Sequence, residues 1–137
     1  MTTLYAIAGT NEGLVVGTGN KVEDFGVGFF TKYGDGGVDI SPIADLMKSE
    51  VYELAKDLCI NTEIINASPT DGLWDDGRTD EEQLGVSYNQ LEWAMLFEEK
   101  DSSVFLSEND KDILNKYIKH RSQNLHKMNP IPIFKKK

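Results

Sequence analysis

Cysteine is almost missing from this chain of 137 residues. Cys59 stands alone, so no internal disulfide can form, and in ELAKDLCI it reads as a small buried hydrophobe. Histidine is nearly as scarce. His120 and His126, six positions apart beside one cysteine, do not make a zinc site. No activated serine or second cysteine motif accompanies them, which leaves covalent acyl transfer and a built-in glutaminase without support. No apolar run approaches the roughly 20 residues that span a bilayer. The opening MTTLYAIAG has no basic n-region and no long apolar core, so it does not read as a signal peptide. Basic charge is also short, with 14 Lys plus Arg against 23 Asp plus Glu and a net charge of −9. Such a balance disfavours a nucleic-acid partner. These absences favour a cytoplasmic protein with no membrane partner.

What is present suits a globular protein. Apolar residues make up 39% and charged residues 27%, and the length fits one domain over 1–137. The charge is uneven. Asp71 to Glu82 holds six acidic residues against one arginine, whereas Lys111 to Lys137 holds eight basic residues against one aspartate. Leu14 to Val16, closed by GTGN, reads as a short buried parallel strand running into a ligand loop. Ile43, Leu46, Met47, Val51, Leu54, Ala55 and Leu58 predict a helix entered at Ser41–Pro42, with one face in the core. Thr79-x-x-Glu82 and Ser87-x-x-Gln90 are capping-box patterns, and Ser107 caps a further helix carrying Ile113, Leu114, Tyr117 and Ile118. Pro130 and Pro132 end regular structure, leaving 128–137 as an extended basic tail. His120 reads as solvated on a basic helix face.

The densest chemistry lies in GTGNKVEDFGVGFFTKYGDGGVDISPIADLMK, Gly17 to Lys48, which carries seven glycines, five acidic residues and three lysines. Glycine is placed where a backbone turns tightly or approaches a ligand closely. Lysine supplies charge for phosphate, and a carboxylate can hold the accompanying metal. The segment reads as a site for a nucleotide and a second polyanionic substrate. Each residue also has a plainer reading. Thr18 and Asn20 are ordinary turn formers, Lys32 and Lys48 solvated lysines, Asp39 a helix-entry acceptor and Thr70 a turn hydroxyl after Pro69. His126–Lys127 is by itself only part of a basic terminus.

VVGTGN, GFFTKYGDGG with VDISPIADLMK, Pro69–Thr70, TDEEQLGVSYNQLE and the terminal His126–Lys127 together resemble the carboxyl-terminal half of ammonia-dependent NAD synthetase, from Met1 to about Pro132. GFFTKYGDGG followed by the lysine of LMK is specific to that family; GTGN alone is weak. The family's other half, with its SGGxDS pyrophosphate loop, has no counterpart in this sequence. Met1 falls where the family has the interior of a helix, so the chain resembles a fragment.

The resemblance implies an α/β fold: a partial doubly wound parallel sheet with flanking helices, a helix-rich fragment of a Rossmann-like ATP pyrophosphatase. It implies ATP-dependent amidation of deamido-NAD by ammonia through an acyl adenylate, with Mg2+ and a homodimeric assembly. Matched residue by residue, Thr18, Lys48 and Thr70 would contact ATP, Glu23 would bind the metal, and Lys32, Asp39, His126 and Lys127 would contact deamido-NAD. Counting back from Lys32 lands on Asp24 instead of Glu23, so Asp24 is the alternative metal ligand. A truncated, non-catalytic nucleotide-binding or oligomerisation module is the rival expectation.

Overall fold

The structure is a computed structural model that describes residues 1–100 and 105–136, with Lys100 described in its backbone only. Lys137, the last residue of the predicted tail, lies outside the described residues. The helices are α1 (Thr2–Thr10), α2 (Lys48–Asp57), α3 (Thr62–Ile65), α4 (Asp80–Leu84), α5 (Tyr88–Lys100) and α6 (Glu108–Met128). A π-helical segment, Lys21–Val27, lies between α1 and α2.

Local chemistry explains the helix starts. Thr79 and Ser107 each complete a capping box, with Glu82 and Asp110 as the reciprocal acceptors. At α5 the Ser87 N–H donates to Gln90 Oε1 at 2.9 Å, and Gln90 N–H returns a bond to Ser87 Oγ at 3.3 Å. The Asn20 side chain, 2% exposed, accepts from the N–H groups of Val22 and Glu23, both at 3.0 Å, and so opens the π-helical segment.

The core forms where that segment meets α5 and α6. Val22 and Val27 pack with Leu84, Val86, Tyr88, Leu91, Ala94, Met95, Ile113 and Tyr117. Leu91, Ala94 and Met95 share one helical face, as do Ile113 and Tyr117. The polar side of α6 then closes the end of the π-helical segment, whose last carbonyls lack helical partners. Arg121 Nη1 donates to the carbonyls of Phe25 and Gly26, Asn124 Nδ2 to Val27 O at 3.0 Å, and Lys127 Nζ to Gly28 O at 2.9 Å and Phe30 O at 2.7 Å. Gly28 sits at φ 65°, and a Cβ there would lie 2.5 Å from Asn124 Cβ. Only glycine tolerates both the left-handed backbone and that approach.

Several expectations need correction. The parallel α/β sheet is not there: the regular elements among the described residues are all helical, and the one β feature among them is an isolated parallel bridge between Val16 and Ile40. A parallel strand is stable only between partners delivered by crossovers. Here the Val15 N–H bonds the Asp39 carboxylate at 2.8 Å rather than a neighbouring strand, and Leu14 and Val16 stay 65% and 54% exposed. The helix predicted from Ile43 begins only at Lys48, because Met47 is extended at ψ 160°. Its apolar face is not core, since α2 has no buried residue. Cys59 is exposed, at φ 53°. His120 is half-buried, with Nε2 at 3.0 Å from Leu84 O, where it caps the end of α4. Among the described residues no helix is long and apolar enough to cross a membrane.

Candidate functional site

The fold gathers four segments around a cleft of about 240 Å3. Glu23 comes from the π-helical segment, Lys48 from the first position of α2, Pro69 and Thr70 from the loop after α3, and Asp80 from the start of α4. Each is held by bonds that do not depend on a ligand. Lys21 N–H donates to Leu46 O at 2.8 Å, which ties the π-helical segment to the approach of α2. The first turn of α2 is anchored to α5, because Ser49 gives its N–H and its hydroxyl to the Glu92 carboxylate, both at 2.8 Å. Asp80 N–H donates to Pro69 O at 3.0 Å, and Thr70 Oγ1 donates to Arg78 O at 3.1 Å.

Charge in this cleft is tightly coupled. Lys48 Nζ lies 2.6 Å from Glu23 Oε1, each side chain only 17% exposed. The Lys48 ammonium also stands 4.7 Å from the centre of the Tyr88 ring. The Tyr88 hydroxyl is 2.9 Å from Glu23 Oε1 and 2.9 Å from Asp80 Oδ2. Asp80 is buried and its Oδ1 has no hydrogen-bond partner. Burial pushes the Asp80 carboxyl above its ordinary range, against the Tyr88 hydrogen bond, and the neighbouring Glu23 charge adds to the rise. Burial first, and then Glu23, hold the Tyr88 phenol far above its usual value. Both Lys48 and Tyr88 engage Oε1 of Glu23, and among the described residues nothing hydrogen-bonds its Oε2.

A second cleft, about 340 Å3, lies across the Gly-rich loop and is lined by Tyr5, Asp24, Phe30, Lys32, Tyr33 and Lys127 among others. Lys32 Nζ donates to the carbonyl of His126 at 2.5 Å, while the imidazole of His126 is exposed. Lys127 Nζ lies 5.5 Å from the Phe30 ring centre, and burial draws its pKa below the usual lysine value. Asp39 stands beside this region, accepting from Val15 N–H at 2.8 Å and from Tyr5 Oη at 3.3 Å.

The expected residues therefore fall into two groups. Glu23, Lys48 and Thr70 share the first cleft. Lys32 and Lys127 share the second, joined through the His126 carbonyl. Thr18 is exposed on the loop before Asn20 and lines neither cleft. Glu23 and Asp24 are divided between the two. Asp80 and Tyr88 were not legible as site residues: Asp80 reads as part of a capping segment, and a tyrosine at a helix start carries no signal of its own.

Among the described residues no group of three or more His, Cys, Asp or Glu side chains is placed to hold a metal ion. Mg2+ needs only one or two carboxylates when phosphates complete its shell. One carboxylate that lines the cleft and keeps an unengaged oxygen, as Glu23 does among the described residues, fits that requirement.

Asp24 has a consequence for stability. Burial pushes its carboxyl up to about 6, with the charges of Glu23 and Asp35 adding to the rise. The backbone at Gly19 lies directly against this carboxyl, so that a Cβ there would have to displace it. A carboxyl whose folded pKa exceeds its unfolded value opposes folding once ionised, so stability should fall as pH rises from about 4 to 7. After discounting for solvent screening the cost is about 1 kcal/mol at neutral pH. Thermal melts of Asp24→Asn should accordingly show a gain over the parent at pH 8 and none at pH 4. An equal difference at both would refute the assignment.

The comparisons with known proteins agree on one family. A family model described as NAD synthase matches residues 1–131. The chain is 46% identical over 129 residues to the NH(3)-dependent NAD(+) synthetase of Thermoplasma acidophilum, covering 94% of this chain and 51% of that protein. It is 45% identical over 121 residues to the enzyme of the same description from Mesoplasma florum, covering 88% and 48%. Among solved structures, an NMN synthetase from Francisella tularensis matches with a TM-score of 0.79 at 33% identity, over 96% of this chain and 51% of that one. An NH3-dependent NAD synthetase from Campylobacter jejuni matches at 0.72 and 25%, over 98% and 51%. The chain spans about half the length of the curated relatives it matches. With nearly its whole length inside the family model, and the family's GFFTKYGDGG segment lying between two clefts, this chain belongs to the NAD synthase family.

Proposed function

We propose that this chain supplies the carboxyl-terminal half of an active site that amidates deamido-NAD to NAD with ATP and ammonia. The observation that carries the reading is the convergence of Glu23, Lys48 and Thr70 on one cleft, with Lys32 and Lys127 on a second cleft across the same Gly-rich loop. Two polyanions can thereby be held side by side. In this reading ATP phosphates lie against Lys48 and Thr70, with Thr18 reaching the nucleotide from the loop before Asn20. Deamido-NAD lies along Lys32, Asp39, His126 and Lys127.

The chemistry follows in two steps. A carboxylate oxygen of the nicotinate attacks the α-phosphorus of ATP, the bond to pyrophosphate breaks, and an acyl adenylate forms. Ammonia then attacks the carbonyl carbon, the bond to AMP breaks, and the nitrogen loses a proton. No protein nucleophile is needed. The protein's part is to bring two anions together and neutralise developing phosphate charge. Mg2+ bound through Glu23 would add positive charge at the phosphates. Lys48 places its ammonium at the cleft wall, and Glu23 and the Tyr88 ring hold it there.

A protein of these 137 residues alone is expected to make no NAD from deamido-NAD, ATP and ammonia, because the sequence has no Ser-Gly-Gly motif for the pyrophosphate. Joined to an SGGxDS half from a relative it should do so, and failure of the joined enzyme would overturn the proposal in favour of a non-catalytic module. The same assay run with nicotinate mononucleotide tests a second reading, favoured by the match to the F. tularensis NMN synthetase.

Self-association as a homodimer belongs to the proposal as well. Leu4, Tyr5 and Ile7 of α1, with Leu14 and Val16 beside them in sequence, are each more than 40% exposed, and exposed apolar residues gathered in one stretch suit an interaction surface. Light scattering that returned a 15.3 kDa species at high micromolar concentration would contradict it.

A further inference from the structure

Tyr88 touches both Lys48 and Glu23 of the first cleft, and the sequence assigns it no role of its own. Its ring face carries the Lys48 ammonium at 4.7 Å, and its hydroxyl meets Glu23 Oε1 at 2.9 Å. The hydroxyl is itself held by Asp80 Oδ2 at 2.9 Å. Asp80 cannot drift, because its backbone N–H is bonded to Pro69 O at 3.0 Å and its side chain is buried, the residue 7% exposed. Tyr88 is equally fixed. Only 6% of it is exposed, and its N–H donates to Glu81 Oε1 at 2.7 Å.

With Lys48 and Tyr88 both on Oε1, the carboxylate of Glu23 cannot turn about its last torsion without losing two short contacts. Its other oxygen, Oε2, therefore keeps one direction. A carboxylate whose free oxygen is fixed in advance loses less on meeting a hard cation than one that must be ordered at that moment. We propose that Tyr88 and Asp80 are a positioning pair, which holds Glu23 so that its free oxygen meets the divalent cation carried by the nucleotide phosphates. In this role neither contacts the substrates directly, although Asp80 lines the same cleft. The role rests on the reading that Glu23 faces a phosphate-bound cation, and it adds two residues that act through Glu23.

The test uses the whole chain and MgATP as probe. ATP affinity is measured calorimetrically with Mg2+ and with EDTA, and the ratio of the two dissociation constants reports the contribution of the cation. The parent should bind ATP more tightly with Mg2+. Tyr88→Phe keeps the ring and its packing but removes the hydroxyl. It should cut that ratio about tenfold, the usual effect of losing a residue that orients a metal ligand, with the EDTA affinity and the circular-dichroism spectrum unchanged. Asp80→Asn should lower the ratio in the same direction.

Glu23→Gln should remove the Mg2+ preference, and adding Tyr88→Phe to it should change nothing further, because the tyrosine acts only through that carboxylate. A purely structural tyrosine would not produce this non-additivity. A Mg2+ preference retained within twofold in Tyr88→Phe, or effects of Tyr88→Phe and Glu23→Gln that multiply, would overturn the pair while leaving the Glu23 reading standing. No Mg2+ preference in the parent would remove both. Loss of the helical spectrum in both Tyr88→Phe and Asp80→Asn would also overturn it, since a pair required for folding is not a positioning pair.

Discussion

Replacing Lys48 with alanine should slow pyrophosphate release by two orders of magnitude or so in an active enzyme that carries this chain beside an SGGxDS half. The figure follows from losing a charge-assisted contact to developing phosphate charge, worth roughly 2–4 kcal/mol. Lys48 leaves no core cavity when truncated, because α2 contributes no buried residue. The tertiary structure nevertheless adds a cost. Lys48 neutralises Glu23 at 2.6 Å with both side chains 17% exposed, and Asp80 is a second carboxylate beside the same tyrosine. Two acids facing each other without a cation should lower stability by about 1–3 kcal/mol. Lys48→Ala is therefore expected to melt several degrees early as well as to lose activity. Lys48→Arg, which restores the charge with a different shape, should recover the stability more fully than the rate. Pyrophosphate release within twofold of the parent in Lys48→Ala would return this residue to an ordinary lysine.

Leu91→Ala should bring the largest loss of stability, about 3 kcal/mol, from burial removed and a cavity left behind. Leu91 is fully buried on α5, in the cluster where α5, α6 and the π-helical segment meet. The described core is small, so no second cluster offsets the loss. A shift of this size corresponds to a melting midpoint roughly 10 °C lower. Leu96, on the same helix but 43% exposed, is the control, and its replacement by alanine should stay within about 0.5 kcal/mol. Equal effects at the two positions would mean that the core is not where the structure has it. The site depends on this core, because Glu23 lies one residue from Val22 and Tyr88 is itself a core residue.

Much of the local structure could be read directly. The capping boxes at Thr79, Ser87 and Ser107 and the apolar stripes of α5 and α6 rest on contacts three and four residues apart, which any window of sequence contains. The roles of Glu23, Lys48 and Thr70 came from the family's motif, and physical spacing alone left Lys48 and Thr70 with ordinary alternatives. Asp80 and Tyr88 were invisible for a related reason. Their significance lies in what they face across the cleft, and Glu23 is 65 positions from Tyr88.

Other readings failed where a distant partner decides the outcome. An apolar triplet before GTGN has the composition of a buried strand, but a strand exists only through its neighbours, and here the pairing with 39–40 stops at a single bridge while the Val15 N–H goes to the Asp39 side chain. The α2 stripe has helical periodicity, yet burial requires something to pack against it, and Leu54 and Leu58 remain exposed. His120 looked solvated among lysines until the fold brought the last carbonyl of α4 to it.

By itself, then, the sequence determined the chain's acidity, the absence of an internal disulfide, the starts of α4, α5 and α6 and the identity of its family. Those properties reside in single residues or short windows. The tertiary structure alone decided that Lys48 is paired with Glu23, that Arg121, Asn124 and Lys127 close the π-helical segment, and that Glu23 and Asp24 face different clefts. Each is a contact between segments far apart in sequence, whose free energy comes from burial and from charges brought together, and neither exists until the chain has folded.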